Sequence, residues 1–194
     1  MRKAAFLYVL IAWYWAPAGA AVISTHSFAN CSLPDTNQII SYTDTFGEDH
    51  DYHSSRNQLS YAIYNPVGTS SVTVDNRTGL MWIYNRNDAG LGGGYNWLSA
   101  LPACENLTYA AYKDWRLPNA RELSSIIDYT RDSPALVPWA FPDANGSPSW
   151  QYWTSTTYNG STLSAFAVSF SDGFLASKTS SLTSYAVRCV RGGL

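Results

Sequence analysis

The chain has 194 residues, 46% of them hydrophobic, with 14 acidic against 12 basic side chains. That length fits one domain plus a short attachment, and a net charge of −2 without a basic stripe excludes a nucleic-acid footprint or a polybasic lipid-binding segment. Only 13% of residues are charged while 15% are aromatic, so Ser, Thr and Asn supply the surface polarity, which suits an extracytoplasmic β-rich domain better than a cytosolic enzyme.

Residues 1–20 read as a secretory signal peptide. Arg2 and Lys3 form a basic start, Ala4 to Trp15 an apolar run, and Ala18-Gly19-Ala20 a cleavage site. The run is short for a membrane span, and no later segment is apolar enough to be one. The expected location is therefore secreted, periplasmic or at the cell surface. Cys31 follows Phe28-Ala29-Asn30, which does not suit a lipoprotein signal.

Residues 21–70 are polar and weakly patterned, an extended lead-in expected to pack on a domain at 71–194. That domain opens with a hairpin: Val72 and Val74 alternate, Asp75 to Gly79 is turn chemistry, and Leu80 and Trp82 alternate again. A glycine-bearing loop follows at 85–95. Asn96 caps a helix predicted from about Trp97 to Tyr109, with Pro102 as a kink or late start. Trp97, Leu101 and Cys104 share one stripe of it. Asn119 caps a second helix, with Glu122 completing a capping box and Leu123, Ile126 and Ile127 as its apolar face, predicted to end near Tyr129.

Residues 130–149 hold Pro134, Pro138, Pro142 and Pro148 and read as a long loop, a length often tied to function. Strands are then predicted at Tyr152–Thr156, Leu163–Phe170, Phe174–Lys178 and Tyr185–Arg191, with Asn159-Gly160 and Asp172-Gly173 as turns. Hairpin, two helices, long loop and antiparallel strands make an α+β arrangement. Cys104 points inward from the first helix and Cys189 sits in an apolar last strand, so these two are expected to form the disulfide of an oxidised protein. Cys31 is left as a free thiol or an intermolecular bridge.

The segments VDNRTGLMW (74–82), CENLTYAAYKDWRLPNARELSSIIDY (104–129), YWTSTTY (152–158) and YAVRCVRGG (185–193) resemble, in that order, the Lcl C-terminal domain family. That family takes its name from the C-terminal domain of the Legionella collagen-like adhesin. The resemblance covers roughly residues 70–193, and LPDTNQIISYTDTFGEDHDY (33–52) is similar to the segment that precedes the domain in many members. It implies a C-type-lectin-like fold, two helices packed on short antiparallel sheets with a long loop, related to the formylglycine-generating enzyme. It implies surface exposure, adhesion and binding of sulfated polysaccharide. This chain departs from the adhesin in having no collagen-like repeat and no dense basic cluster.

The acidic run Glu48-Asp49-His50-Asp51-Tyr52-His53, with Asp44, has oxygen ligands that calcium accepts, but its spacing is not that of an EF-hand loop, and it reads as a solvated acidic turn. The tripeptides of calcium-dependent sugar binding are missing. Phe141-Pro142-Asp143 is the nearest, and Phe141-Pro142 is expected to plug the long loop into the core. No cofactor or metal is expected. Trp115, Asn119 and Arg116 read as core, cap and ion pair, whereas Arg188 and Arg191 are expected to present charge from one sheet face. The candidate ligand-binding residues are Trp139, Trp150, Tyr152 and Tyr158, aromatics in or beside the long loop that could stack on sugars or anchor a protein. The expected function is a non-enzymatic binding module for a polysaccharide or surface protein. The alternatives are a structural envelope component assembling through its N-terminal segment, and a formylglycine-type enzyme.

Overall fold

Four strands form the first sheet, in the order β1 (Tyr61–Tyr64), β2 (Val72–Asp75), β3 (Met81–Ile83), β7 (Val190–Arg191), all antiparallel. Three form the second, in the order β4 (Gln151–Thr157), β5 (Ser164–Ser169), β6 (Leu175–Ser180). Among the described residues two helices, α1 (Trp97–Glu105) and α2 (Ala120–Ser124), complete an α+β fold with small antiparallel sheets. The computed structural model describes residues 35–52, 58–143, 151–161, 164–180 and 182–192. The expected signal peptide, Cys31, His53 and Trp150 lie outside the described residues.

The first sheet is covered on both faces. Val72, Met81 and Ile83 join a core with Trp97, Cys104, Trp115 and Trp153. Tyr61, Trp82 and Val190 join a second core with Leu123, Ile126, Phe141 and Tyr152. Simple alternation was expected of the β2–β3 hairpin, yet Thr73 and Asp75 are fully buried among the apolar positions. Thr73 Oγ1 donates to Ala140 O at 2.7 Å. Asp75 accepts from Arg77 N and Thr78 Oγ1 and so builds the turn it stands in. Both polar groups are satisfied, which makes their burial affordable.

Residues 185–191 are a seam between the sheets. Tyr185 bridges Tyr95, Ala186 bridges Tyr152, and Val190 bridges Arg116 while its strand pairs with β3. Val187 and Cys189 enter the first core, Ala186 and Val190 the second, as a period of two requires. The predicted full strand is thereby shortened to two residues. Cys189 meets Cys104 of α1 in a disulfide with Cα atoms 5.5 Å apart and a sequence separation of 85.

Helix α1 runs through Pro102 and stops at Glu105, four residues earlier than predicted. The cause is a tight turn at Ala110 and Ala111, both left-handed with φ of 53° and 68°. Tyr109 and Tyr112 exchange both backbone hydrogen bonds across it at 3.0 Å. Trp115 Nε1 holds the turn from below by donating to Tyr109 O. Helix α2 also falls short of Tyr129. The Asp128 N–H donates to Ala135 O and the Tyr129 N–H to Thr36 O, so the backbone that would continue the helix is spent on the long loop and on the lead-in. The lead-in contributes more than an extended segment: a 3-10 turn at Asp49–Tyr52 and strand β1.

Candidate functional site

Pro118 and Ala120 fasten the start of α2 to strand β4. Ser155 N donates to Pro118 O at 2.7 Å and Ala120 N donates to Thr156 Oγ1 at 3.0 Å. The Asn119 side chain accepts from Glu122 N, and Glu122 reaches back to Asn119 N, both at 2.9 Å. Glu122 also takes Arg116 through both guanidinium nitrogens at 2.7 Å. Burial pushes the Glu122 carboxyl up, but the Arg116 hydrogen bond and charge outweigh it and hold the group below its usual range.

This fastening leaves a cleft of about 360 Å³ between α2 and the second sheet, lined by Asn119, Ala120, Arg121, Thr156, Phe166 and Leu175. The Phe166 ring is braced edge-on by Tyr158, with centroids 6.1 Å apart. Arg121 is exposed at the rim, and no carboxylate among the described residues pairs with it. It is an open depression with an apolar floor and a few polar groups at its edge.

The four candidate aromatics separate. Tyr158 lies beside the cleft through Phe166. Trp139 is 56% exposed but lies away from the cleft residues, packed edge-on against Tyr61 of the first sheet at 6.1 Å. Tyr152 is completely buried against Phe170, so it offers no face to a ligand, and this corrects its expected role. The reason is register: Tyr152 pairs with Val168 in β4–β5, and both side chains point into the second core. Trp150 lies outside the described residues.

The long loop is held from inside. Phe141 is fully buried, as expected of its plug, and Asp143 follows it into the core. Asp143 accepts from Arg188 Nη2 at 2.8 and 3.0 Å and from Arg86 Nε at 2.7 Å. Burial pushes the Asp143 carboxyl up, but the Arg188 and Arg86 charges together hold it below the ordinary carboxylate value. Both guanidiniums lie over the Tyr152 ring, 5.1 and 5.6 Å from its centre. The expected charged face carrying Arg188 and Arg191 is therefore corrected. Three positions apart on an extended chain, the two point to opposite sides. Arg188 is wholly buried, and Arg191 pairs with Asp114 and lies 3.9 Å over Tyr112.

The acidic run at 48–51 is turned on its own backbone. Glu48 accepts from Tyr42 N, and Asp51 from Gly47 N and Glu48 N. Hydrogen bonds from Thr43 and Tyr42 lower the Glu48 carboxyl, and the Gly47 N–H lowers that of Asp51. Among the described residues no three His, Cys, Asp or Glu side chains gather as a metal-binding group.

Residues 71–191 match the family model described as the Lcl C-terminal domain. The chain belongs to this family. A comparison with curated proteins finds no match. The Lcl C-terminal domain so delimited contains the disulfide, the buried Arg–Asp–Arg group and the whole cleft. Strand β1 lies just ahead of the matched span, although it is an integral strand of the first sheet.

Sequence reasoning missed Arg86, Asp143 and the cleft residues Arg121, Phe166 and Leu175. The only local hint was an Asp closing Phe141-Pro142-Asp143 in an apolar stretch. The cleft has no local signal, because its walls come from α2, β4, β5 and β6.

Proposed function

We propose that this protein is an extracytoplasmic binding module that holds one sugar unit of a glycan in the cleft between α2 and the second sheet, and acts by binding rather than by catalysis. The carrying observation is the cleft itself. Phe166 provides an aromatic surface of the kind on which a pyranose ring stacks, while Arg121 and Asn119 provide polar groups at the edge for hydroxyl or acidic substituents. Kinship with the adhesin domain supports the same reading, as does a disulfide that suits an oxidising compartment. We read the architecture as C-type-lectin-like, since the first strand and the last share one sheet while a separate small sheet carries the cleft.

Non-catalytic action is supported by how the reactive groups are used. Cys104 and Cys189 are spent on a buried disulfide, and Asp143, Glu122 and Asp114 are each engaged by arginine. The test is a glycan array on the oxidised protein, read with calcium and with chelator. Specific signals that Phe166→Ala removes, with the fold retained, support the reading. Signals that survive both Phe166→Ala and Arg121→Ala place the site elsewhere.

A further inference from the structure

Strand β1 ends the first sheet, and its outer edge, though only four residues long, lacks the other features that keep exposed edges from pairing. Tyr61-Ala62-Ile63-Tyr64 has no charge, no proline and an unbroken register against β2. Of the other outer strands, β7 is bridged by Arg116 and β4 by Ala186, and β6 lies against a ladder with a register shift. No backbone group among the described residues outside β2 bonds to residues 61–64. Ile63 is 42% exposed on one face of this edge and Tyr64 55% exposed on the other.

The exposed side chains form a surface rather than isolated positions. Ile63 is opposite Thr73 in the ladder, and Thr73 holds Ala140 of the long loop by its hydroxyl. Trp139 therefore stands on the same face as Ile63, packed on Tyr61. An apolar edge flanked by an exposed indole is what a paired interface buries.

We propose that β1 pairs antiparallel with β1 of a second copy of this chain, giving a two-fold dimer with one continuous eight-stranded sheet. The ladder selects the register. Asn76 N donates to Ser60 O at 2.9 Å. By the alternation of an antiparallel pair, Ala62 and Tyr64 then turn their backbone groups toward β2, and Tyr61 and Ile63 turn theirs outward. Keeping the faces of the two sheets aligned requires odd positions to oppose odd ones. Centring the two-fold axis on Ile63 places Ile63 against its own copy on the Trp139 face. On the other face it sets Ala62 against Tyr64, small against large, twice. The same patch thus complements itself, as a two-fold interface must. A second copy fits better than an unrelated charged peptide, because the edge offers no charge to be matched. The dimer would present two clefts to one polymer, raising avidity without any new contact.

The experiment is sedimentation velocity on the chain carrying Cys31→Ser, so that no thiol can join copies. The proposal expects a species of twice the chain mass, reduced to the chain mass by Ile63→Lys and by Tyr64→Lys. Leu98→Lys should leave it unchanged, since Leu98 is more exposed than either but lies on α1. Circular dichroism reports whether each variant folds. Should one edge variant unfold, the other decides, together with hydrogen exchange of the Ile63 amide, which the dimer slows and dilution restores. A monomer at every concentration reached, or a dimer that survives both edge lysines, overturns the proposal.

Discussion

Arg188 and Asp143, 45 residues apart in sequence, meet in a two-pronged ion pair with neither side chain exposed. The pair joins the seam between the sheets to the long loop, and Arg86 closes it from the β3 side. Ile83 O accepts from Arg188 Nη1 at 2.7 Å, so the cation is also tied to backbone. A buried pair is costly to assemble, but removing one partner leaves an uncompensated charge. Asp143→Ala strands two guanidiniums and should destabilise the protein by about 3–5 kcal/mol in urea denaturation. A loss below about 1 kcal/mol would mean that the group is solvated in solution.

The same pair has a pH signature. The folded Asp143 carboxyl is held below its ordinary value, so its contribution is complete above about pH 4 and fades as the pH falls through the folded value. Asn cannot titrate, so the stability gap between the protein and Asp143→Asn should be constant near neutrality and narrow in acid. Urea midpoints for both, measured from neutral pH down to about pH 3, check this. A gap that widens in acid has the wrong sign for this pair.

The Cys104–Cys189 bridge closes a long loop and ties α1 to the seam. In the chain-entropy model it is worth about 4.5 kcal/mol. The Cys104→Ala, Cys189→Ala double variant should lose about that much, seen as a lower midpoint in denaturant. An unchanged midpoint would show that the core alone holds α1 in place.

Much of the architecture could be read from the chain because it rests on local rules. The Asn119 capping box and the Asp172-Gly173 turn are each spelled within a few residues, and each is present, while the distant pair Cys104 and Cys189 was legible because one sits on an apolar helix stripe and the other in an apolar strand. Gly173 has a φ of 76°, and a Cβ there would come within 2.8 Å of Ile127. The boundaries went astray where distant backbone competed, as when Thr36 and Ala135 took the hydrogen-bonding partners that α2 needed to continue. Arg188 looked like surface charge because its partner Asp143 is remote in sequence and unremarkable by itself. The cleft was illegible for the same reason: Arg121 and Phe166 become neighbours only once α2 docks on the second sheet.

Two alanines in the left-handed region offer a test of backbone strain. Ala111 is exposed at a φ of 68°, a conformation that costs an L-residue roughly 1–2 kcal/mol and glycine almost nothing. Ala111→Gly should therefore raise the thermal midpoint, against the usual direction for an alanine-to-glycine change. A lower midpoint would mean that the turn is not strained there.

The central claim is recognition of a sugar in the cleft. The most direct measurement is titration of the oxidised protein with the strongest glycan from an array, alongside Phe166→Ala, Arg121→Ala and Trp139→Ala. The account predicts that Phe166→Ala abolishes binding, that Arg121→Ala weakens it by roughly tenfold, the loss of one charge-assisted hydrogen bond, and that Trp139→Ala leaves it intact. Binding that depends on Trp139 and is indifferent to Phe166 and Arg121 would contradict it.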